Sequence, residues 1–241
     1  MKRLAIAALA LAAGCDGAAS SYSPPPVTPV LPDAATTGTI RGEVRYDAPL
    51  PEAKFEPMGG SPECTTLAGG KTPKQELLVK DGRLRNAFVH IKQGLDPKYK
   101  WAIPTEEHVV SNQKCLYNPR VSGARTWQKV KFLNQDATQH NFRSDPWSRT
   151  LSSQGQSVTI WYDKPQLAAL RCDLHNWMLG HLWIMDHPYF GVTGEDGAFE
   201  IKDVPPGDYT LEAWHETLGT QSATVKLEPK GSATATLTFK K

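Results

Sequence analysis

The sequence predicts an all-β protein. Gly and Pro each number 19 among the 241 residues, which is more than a helical bundle carries and is typical of a turn-rich β architecture. Short segments of strand character recur along the chain, and its length fits one large β domain or two small ones. The one segment that could form a helical turn, Pro165–Arg171, is too short to change the fold class.

The predicted strands begin near Gly38. In the segment 38–46 the side chains of Ile40, Val44 and Tyr46 alternate with charged residues, as in a half-buried strand. Asp81-Gly82 predicts a tight turn between two further strands. The other segments with strand character are ELLVK (76–80), NAFVHIK (86–92), KVKFLN (129–134) and SVTIWYD (157–163).

The chain from Phe190 onwards alternates strands with clear turn signals, DG at 196–197 and PPG at 205–207. The pattern DG-x-F-x-I followed by P-x-G-x-Y-x-L resembles the carboxypeptidase regulatory-like module, a prealbumin-type β-sandwich. Residues 190–241 hold too few strands to close such a sandwich. The resemblance therefore implies that segments 38–46 and 86–92 supply its opening strands and that a second sandwich is inserted between them.

The first fifteen residues, MKRLAIAALALAAGC, predict export. Lys2 and Arg3 precede the apolar run 4–13, which is about half as long as a membrane span needs. The run ends in Ala-Ala-Gly-Cys, which resembles the lipobox of bacterial lipoproteins. The resemblance implies cleavage before Cys15, lipidation of Cys15 and a protein held to a membrane by lipid alone, in the periplasm or at the cell surface. A plain secretory signal is the alternative.

Composition excludes several classes of function. The formal net charge of +2 falls to neutral once residues 1–14 are removed, and no basic run exceeds two residues, so we expect no nucleic-acid partner. Residues 16–37 are small, polar and proline-rich, which predicts an extended tether. The sequence contains no Ser-His-Asp order, catalytic carboxylate pair or phosphate-binding glycine loop, and we predict no catalytic residues.

The segment RCDLHNWMLG (171–180) has the spacing of a metal site. Cys172, His175 and Met178 are three residues apart on one short loop, and His140 follows an upstream strand. A thiolate, two imidazoles and a thioether are the soft and borderline donors of a blue-copper site, in which the methionine is a weak axial ligand. Zinc is the main alternative metal because Cys-His₂ suits it, although a thioether is not its usual fourth ligand.

At these residues the chain resembles the cupredoxins of the amicyanin and plastocyanin type, over residues 95–187. The resemblance implies a Greek-key β-sandwich with one type 1 copper ion, bound by His140, Cys172, His175 and Met178. It also implies that Asn141 hydrogen-bonds across to the cysteine loop and that an exposed edge of His175 passes the electron.

The cysteine loop departs from the family pattern at two positions. Leu174 and Asn176 flank His175 where the family usually has prolines, so each adds a backbone N–H close to the sulfur. These resemblances divide the chain into a signal peptide (1–14), a lipid-anchored tether (15–37), opening strands shared with the C-terminal sandwich (38–94), a cupredoxin-like copper domain (95–187) and a regulatory-like domain (188–241).

The four cysteines must be shared between lipid, metal and disulfide. If Cys15 is acylated, three remain, and an odd number in an oxidising compartment indicates that one thiol has another role. With copper on Cys172, we expect a disulfide between Cys64 and Cys115. A bridge between Cys115 and Cys172 would destroy the copper site, and the sequence alone leaves it open.

The sequence therefore predicts an extracytoplasmic copper protein that carries single electrons. Its expected partner is a redox protein such as a c-type cytochrome or a membrane electron-transfer complex. Arg171 and Asp173, rather than a histidine, flank Cys172, so no second metal is connected to it and we predict no enzyme activity. The alternatives are a non-redox cell-envelope module that binds glycan or protein, and a copper storage or delivery protein.

Overall fold

A computed structural model describes residues 22–240 apart from 53, 57 and 73. These residues form strands, one 3-10 turn (Met58–Gly60) and one short helix, α1 (Pro62–Leu67), so the all-β prediction is confirmed. None of the described helices is long and apolar enough to cross a membrane. The strands are β1 (Gly38–Tyr46), β2 (Val79–Lys80), β3 (Arg83–Leu84), β4 (Phe88–Gln93), β5 (His108–Gln113), β6 (Leu116–Asn118), β7 (Val121–Arg125), β8 (Val130–Asn134), β9 (His140–Ser144), β10 (Trp147–Leu151), β11 (Ser157–Ile160), β12 (Gln166–Arg171), β13 (Leu179–Met185), β14 (Phe190–Val192), β15 (Ala198–Val204), β16 (Gly207–His215), β17 (Gly219–Leu227) and β18 (Ser232–Phe239).

Strands from both ends of the chain share two sheets. In one sheet β1 pairs antiparallel with β15 and β3 and parallel with β18, and β2 continues the sheet beyond β3. The other sheet has the order β14-β4-β16-β17. A Cβ atom at Gly42 in β1 would overlap the carbonyl oxygen of Ala235 in β18, so this close parallel pairing requires glycine. The apolar faces of both sheets form one buried cluster that includes Ile40, Leu211 and Phe239.

The intervening residues form two further sheets, with the orders β10-β9-β12-β13-β7 and β11-β8-β5-β6. Phe132 in β8 and Phe142 in β9 are buried and stack on each other, so they join the two sheets through a common core. The end of β12 pairs with β9 at Arg143, and Cys172, the residue after β12, lies beside Asn141 near the start of β9. This part of the sheet carries the candidate metal ligands.

The segment 165–171 is a strand and not a helical turn. Residues Gln166–Arg171 pair with β13 along their whole length, and only alternate residues, Ala168 and Leu170, are buried. Glutamine, leucine and alanine favour helix in isolation. Burial with a period of two and the ladder to β13 outweigh this local preference.

The segment 22–37, part of the extended tether that the sequence predicts over 16–37, contacts the fold at Tyr22, Val30 and Thr36, while most of its residues are exposed. The Tyr22 hydroxyl donates to the carbonyl of Trp127 (2.9 Å), and its ring makes an edge contact with Trp161. Val30 forms a two-way backbone bridge with Lys100. The Tyr22 ring and the backbone of Val30 thus make the contacts, while the side chains of Val27, Val30 and Leu31 remain exposed. The signal peptide and Cys15 lie outside the described residues.

A buried ion pair joins the two pairs of sheets. Arg120, just before β7, donates from Nε and Nη2 to the two carboxylate oxygens of Glu216, just after β16, at 2.6 and 2.7 Å. His181 Nε2 lies 3.3 Å from the same carboxylate. Burial raises the pKa of Glu216, but the hydrogen bonds from His181 and Arg120 outweigh it and lower that pKa to about 2. The carboxylate is therefore charged and fixes the two halves against each other.

We expect Glu216→Gln to lower the free energy of unfolding by about 3 kcal/mol at neutral pH, because it leaves the Arg120 guanidinium buried without its counter-charge. The pKa of Glu216 is depressed in the folded state, so its contribution is complete above about pH 4.5 and disappears as pH falls through about 2. Denaturant unfolding of both proteins between pH 7 and pH 2 measures the difference.

The matched control is Glu195→Gln, because the Glu195 carboxylate pairs with Arg85 but its side chain is 72% exposed. We expect this change to cost less than about 1 kcal/mol at every pH. An equal loss for the two variants, or a Glu216 effect that does not shrink in acid, would contradict the role of the buried pair.

Candidate metal centre

Two neighbouring strands bring the predicted ligands together. His140 is the first residue of β9, and Cys172 directly follows β12. Arg143 in β9 pairs with Arg171 in β12, so the antiparallel register brings Cys172 beside the start of β9. His175 and Met178 lie on the short loop that leads into β13, and the Met178 N–H donates to the His175 carbonyl (2.9 Å) to close that loop.

Three donor atoms converge at this point. His140 Nδ1 lies 3.1 Å from His175 Nδ1, which lies 3.6 Å from Cys172 Sγ. Side-chain donor atoms of all three residues lie within 4.8 Å of one another. The exposed fractions are 0% for His140, 4% for Cys172 and 6% for His175, and Met178 is fully buried in the same apolar cluster as Cys172. The site is therefore a closed group of soft and borderline donors.

Asp136 orients His140. Its Oδ2 accepts a hydrogen bond from His140 Nε2 (2.9 Å), which places a proton on that nitrogen and directs Nδ1 towards the other donors. The same carboxylate accepts the backbone N–H groups of Lys114 (2.7 Å) and Cys115 (2.8 Å). Burial raises the pKa of Asp136, but its hydrogen bonds, the strongest from His140, lower it below the usual value. Asp136 is thus a charged acceptor of three N–H groups.

The Cys172 sulfur is prepared to be a thiolate. Burial raises the pKa of this thiol, but hydrogen bonds from His140, His175 and the backbone N–H groups of Asn141 and Leu174 lower it to about 6. The Asn141 N–H lies 3.3 Å from the sulfur. A thiolate is the form that binds a metal. The Leu174 N–H is one of the two groups that the absence of flanking prolines adds to this loop.

Asn141 contacts the cysteine loop, as the sequence resemblance implied, but through its main chain and not its side chain. Its Nδ2 donates to Ser148 Oγ on the neighbouring strand β10 (3.3 Å), and its Oδ1 is buried without a hydrogen-bond partner. The contact with Cys172 comes from the Asn141 main chain, because the register of β9 and β12 directs that N–H at the sulfur.

A disulfide joins Cys64 and Cys115 (S–S 2.04 Å), and Cys172 is the free cysteine among the described residues. Cys115, Asp136 and His140 also lie close enough to hold a metal. They do not form a second site in this state, because the Cys115 sulfur is bonded to Cys64.

The expectation of an exposed His175 edge is wrong. The Cys64 Sγ lies 3.6 Å from His175 Nε2, and the ring of Trp177 lies against the imidazole at 5.1 Å between centroids. Helix α1 carries Cys64 into this position, and the sequence analysis did not predict that helix. Its signal was present, since Ser61 is an N-cap followed by proline at the first helical position.

Sequence reasoning also missed Asp136. It stands four residues before His140 in a loop, where an aspartate is common for reasons unrelated to any site. An acidic residue near a candidate histidine ligand is the one available signal, because ligating histidines usually donate their second N–H to a carboxylate or carbonyl.

Comparison with known proteins finds similarity to copper proteins among solved structures. No protein-family model matches the chain, and no curated protein matches it. A copper-containing nitrite reductase from Thermus scotoductus SA-01 is 18% identical, with a TM-score of 0.31, over 39% of this chain and 26% of that one. A purple cupredoxin from Nitrosopumilus maritimus is 15% identical (TM-score 0.30) over 32% of this chain and 99% of that one. The Cu(I) form of an amicyanin mutant is 16% identical (TM-score 0.30) over 39% of this chain and 100% of that one. Each of these similarities is distant and covers less than half of this chain.

We expect Asp136→Asn to weaken Cu(I) binding by about 10- to 100-fold, the usual cost of losing a group that orients a histidine ligand. An amide cannot accept all three N–H groups without directing its own NH₂ at one of them. Competition with a chromophoric Cu(I) chelator measures the affinity.

Asp173→Asn is the matched control, because Asp173 is next to Cys172 but half-exposed and paired with Arg143. Its affinity should stay within about twofold of the unchanged protein, since an exposed pair contributes little. Equal affinities for the Asp136 and Asp173 variants would contradict the orienting role of Asp136.

Proposed function

We propose that this protein holds one copper ion in a type 1 site and carries single electrons outside the cytoplasm. The observation that carries the proposal is the convergence of His140 Nδ1, His175 Nδ1 and Cys172 Sγ in a buried group. Two imidazoles and one thiolate are the trigonal donor set of blue-copper sites.

The spacing of the three donors suits a metal ion. Bonds of about 2.0 Å to each nitrogen and about 2.3 Å to sulfur, at angles of roughly 100–115°, separate the two nitrogens by about 3.1 Å and nitrogen from sulfur by about 3.6 Å. The Nδ1–Nδ1 distance is 3.1 Å and the sulfur to His175 Nδ1 distance is 3.6 Å. The Nδ1 atoms of the two imidazoles face each other, and that of His175 also faces the sulfur.

Bound copper would supply one-electron exchange between Cu(I) and Cu(II). The protein's contribution is to hold the donors rigidly. Asp136 fixes the tautomer of His140, and the N–H groups of Asn141 and Leu174 hold the sulfur and withdraw negative charge from it. Met178 would supply a weak thioether ligand, because it is fully buried on the same loop and in the same apolar cluster as Cys172.

The site suits an electron carrier better than a copper delivery protein. Delivery requires ligands that an acceptor can reach, whereas none of the three donor residues is more than 6% exposed. A buried thiol with its pKa lowered to about 6 also argues against a purely structural role for Cys172 in a non-redox module. Arg171 and Asp173 flank the cysteine, so we propose a carrier and no enzymatic step.

We further propose that the chain is a bacterial lipoprotein anchored through Cys15 in the periplasm or at the cell surface. The lipobox-like sequence and the disulfide between Cys64 and Cys115 support an oxidising compartment. Only six residues separate Cys15 from the docked Tyr22, so Tyr22 would lie within about 25 Å of the lipid attachment point. This short reach suits a redox partner in or on the same membrane, such as a c-type cytochrome or a membrane electron-transfer complex.

Cys172→Ser should abolish the intense visible band of the Cu(II) protein, because a hydroxyl cannot provide thiolate-to-copper charge transfer. The measurement is a visible spectrum of the exported domain after addition of one equivalent of Cu(II). Ser144→Ala, in the same sheet but outside the ligand set, is the control and should keep the band. A blue Cys172→Ser protein, or an unchanged protein that stays colourless with copper bound, would overturn the assignment.

Cys15→Ser should move the protein from the detergent fraction to the soluble fraction of the cell envelope, since it removes the only proposed anchor. Detergent phase partition of cells that produce the two forms measures the change. Lipidation of the unchanged protein, seen as a mass increase on its N-terminal peptide, supports the same conclusion. If both forms partition equally into the soluble fraction, the chain is a freely diffusing carrier.

A further inference from the structure

The edge of the His175 imidazole is covered by protein. The sequence resemblance implied that this edge is exposed and exchanges electrons. His175 Nδ1 faces the other donors, and its opposite nitrogen, Nε2, lies 3.6 Å from Cys64 Sγ. Cys64 is 0% exposed and His175 is 6% exposed. The sulfur therefore occupies the position next to Nε2 that solvent or a partner would otherwise fill.

The disulfide holds this cover in place. Helix α1 has six residues, too few for a stable helix without tertiary support. That support comes from the bond to Cys115 and from the packing of Met58 and Leu67 against the core around the site. At the other end of the disulfide, Asp136 accepts the Cys115 N–H, and the Cys115 carbonyl accepts from Trp177 Nε1 (3.2 Å).

The disulfide is linked to both imidazoles. It contacts His175 directly through Cys64 and His140 indirectly, because Asp136 bonds both the Cys115 N–H and His140 Nε2. A disulfide needed only for stability could lie anywhere in the fold. This one lies against the remote nitrogen of one candidate ligand and shares a carboxylate with the other.

We propose that the segment Ser61–Ala68 and its disulfide form a cover over His175, and that this cover sets the specificity of electron exchange. A redox partner then contacts the surface of the cover. The electron moves between this partner and His175 by way of Cys64, and not through an exposed imidazole edge. Small oxidants and reductants are kept one layer of protein away from the imidazole. The inference rests on the proposed copper site for its electron-transfer part only.

The double variant Cys64→Ala/Cys115→Ala removes the disulfide and leaves Cys172 as the free thiol among the described residues, so no additional thiol competes for copper. We expect oxidation of its Cu(I) form by hexacyanoferrate(III) to be at least about tenfold faster than for the unchanged protein, compared at equal driving force from the measured potentials. Ile201→Ala, in the core of the other sandwich, is the control for lost stability and should leave the rate unchanged. Equal rates for the double variant and the unchanged protein would overturn the proposal.

A second measurement works on the metal-free protein and so does not depend on copper. Carbethoxylation by diethyl pyrocarbonate, read peptide by peptide, should spare His175 in the unchanged protein and modify it at least about tenfold faster in the double variant. If the double variant does not fold, Ser61→Ala replaces it, because this change removes the N-cap contact to the Cys64 N–H while keeping the disulfide. It should raise the modification of His175 severalfold.

The outcomes separate the two claims. Rapid modification of His175 in the unchanged protein, or no increase in any folded variant, would show that no cover exists, whatever the colour of the copper form. A colourless copper form with a protected His175 would instead reject the copper proposal and leave the cover as a structural feature.

Discussion

The hydrogen bonds to the Asp136 carboxylate hold the candidate metal site together. The carboxylate accepts N–H groups from the turn between β5 and β6, at Lys114 and Cys115, and from the imidazole of His140. One buried charge thus fixes the tautomer of a candidate ligand and the position of one half of the disulfide. Because the three donors solvate this carboxylate as water would, its burial is tolerated.

Two chains of contacts lead from Asp136 to the rest of the site. Through His140 the first reaches His175 and the Cys172 sulfur, whose lowered pKa depends on the surrounding N–H groups. Through Cys115 the second reaches Cys64 and helix α1, which closes the far side of His175. The Arg120–Glu216 ion pair fixes the second sandwich to the sheets that carry the candidate metal centre.

The sequence predicts the local part of this arrangement well and the long-range part poorly. Cys172, His175 and Met178 share one short loop, so their spacing alone indicates that they lie together. The contact between Cys64 and His175 joins residues 111 positions apart, and no local pattern encodes it. Asp136 carries no distinctive signal in a polar loop. The segment 165–171 forms a strand although its residues could form a helical turn, because the long-range ladder to β13 decides the outcome.

X-ray absorption at the copper edge shows directly whether Cys172 and two imidazoles bind one copper ion. With one equivalent of copper on the exported domain, we predict one sulfur at about 2.1–2.3 Å and two imidazole nitrogens at about 2.0 Å, in both the Cu(I) and Cu(II) forms and with little change between them. A copper environment made only of nitrogen and oxygen, without a short bond to sulfur, would contradict the account.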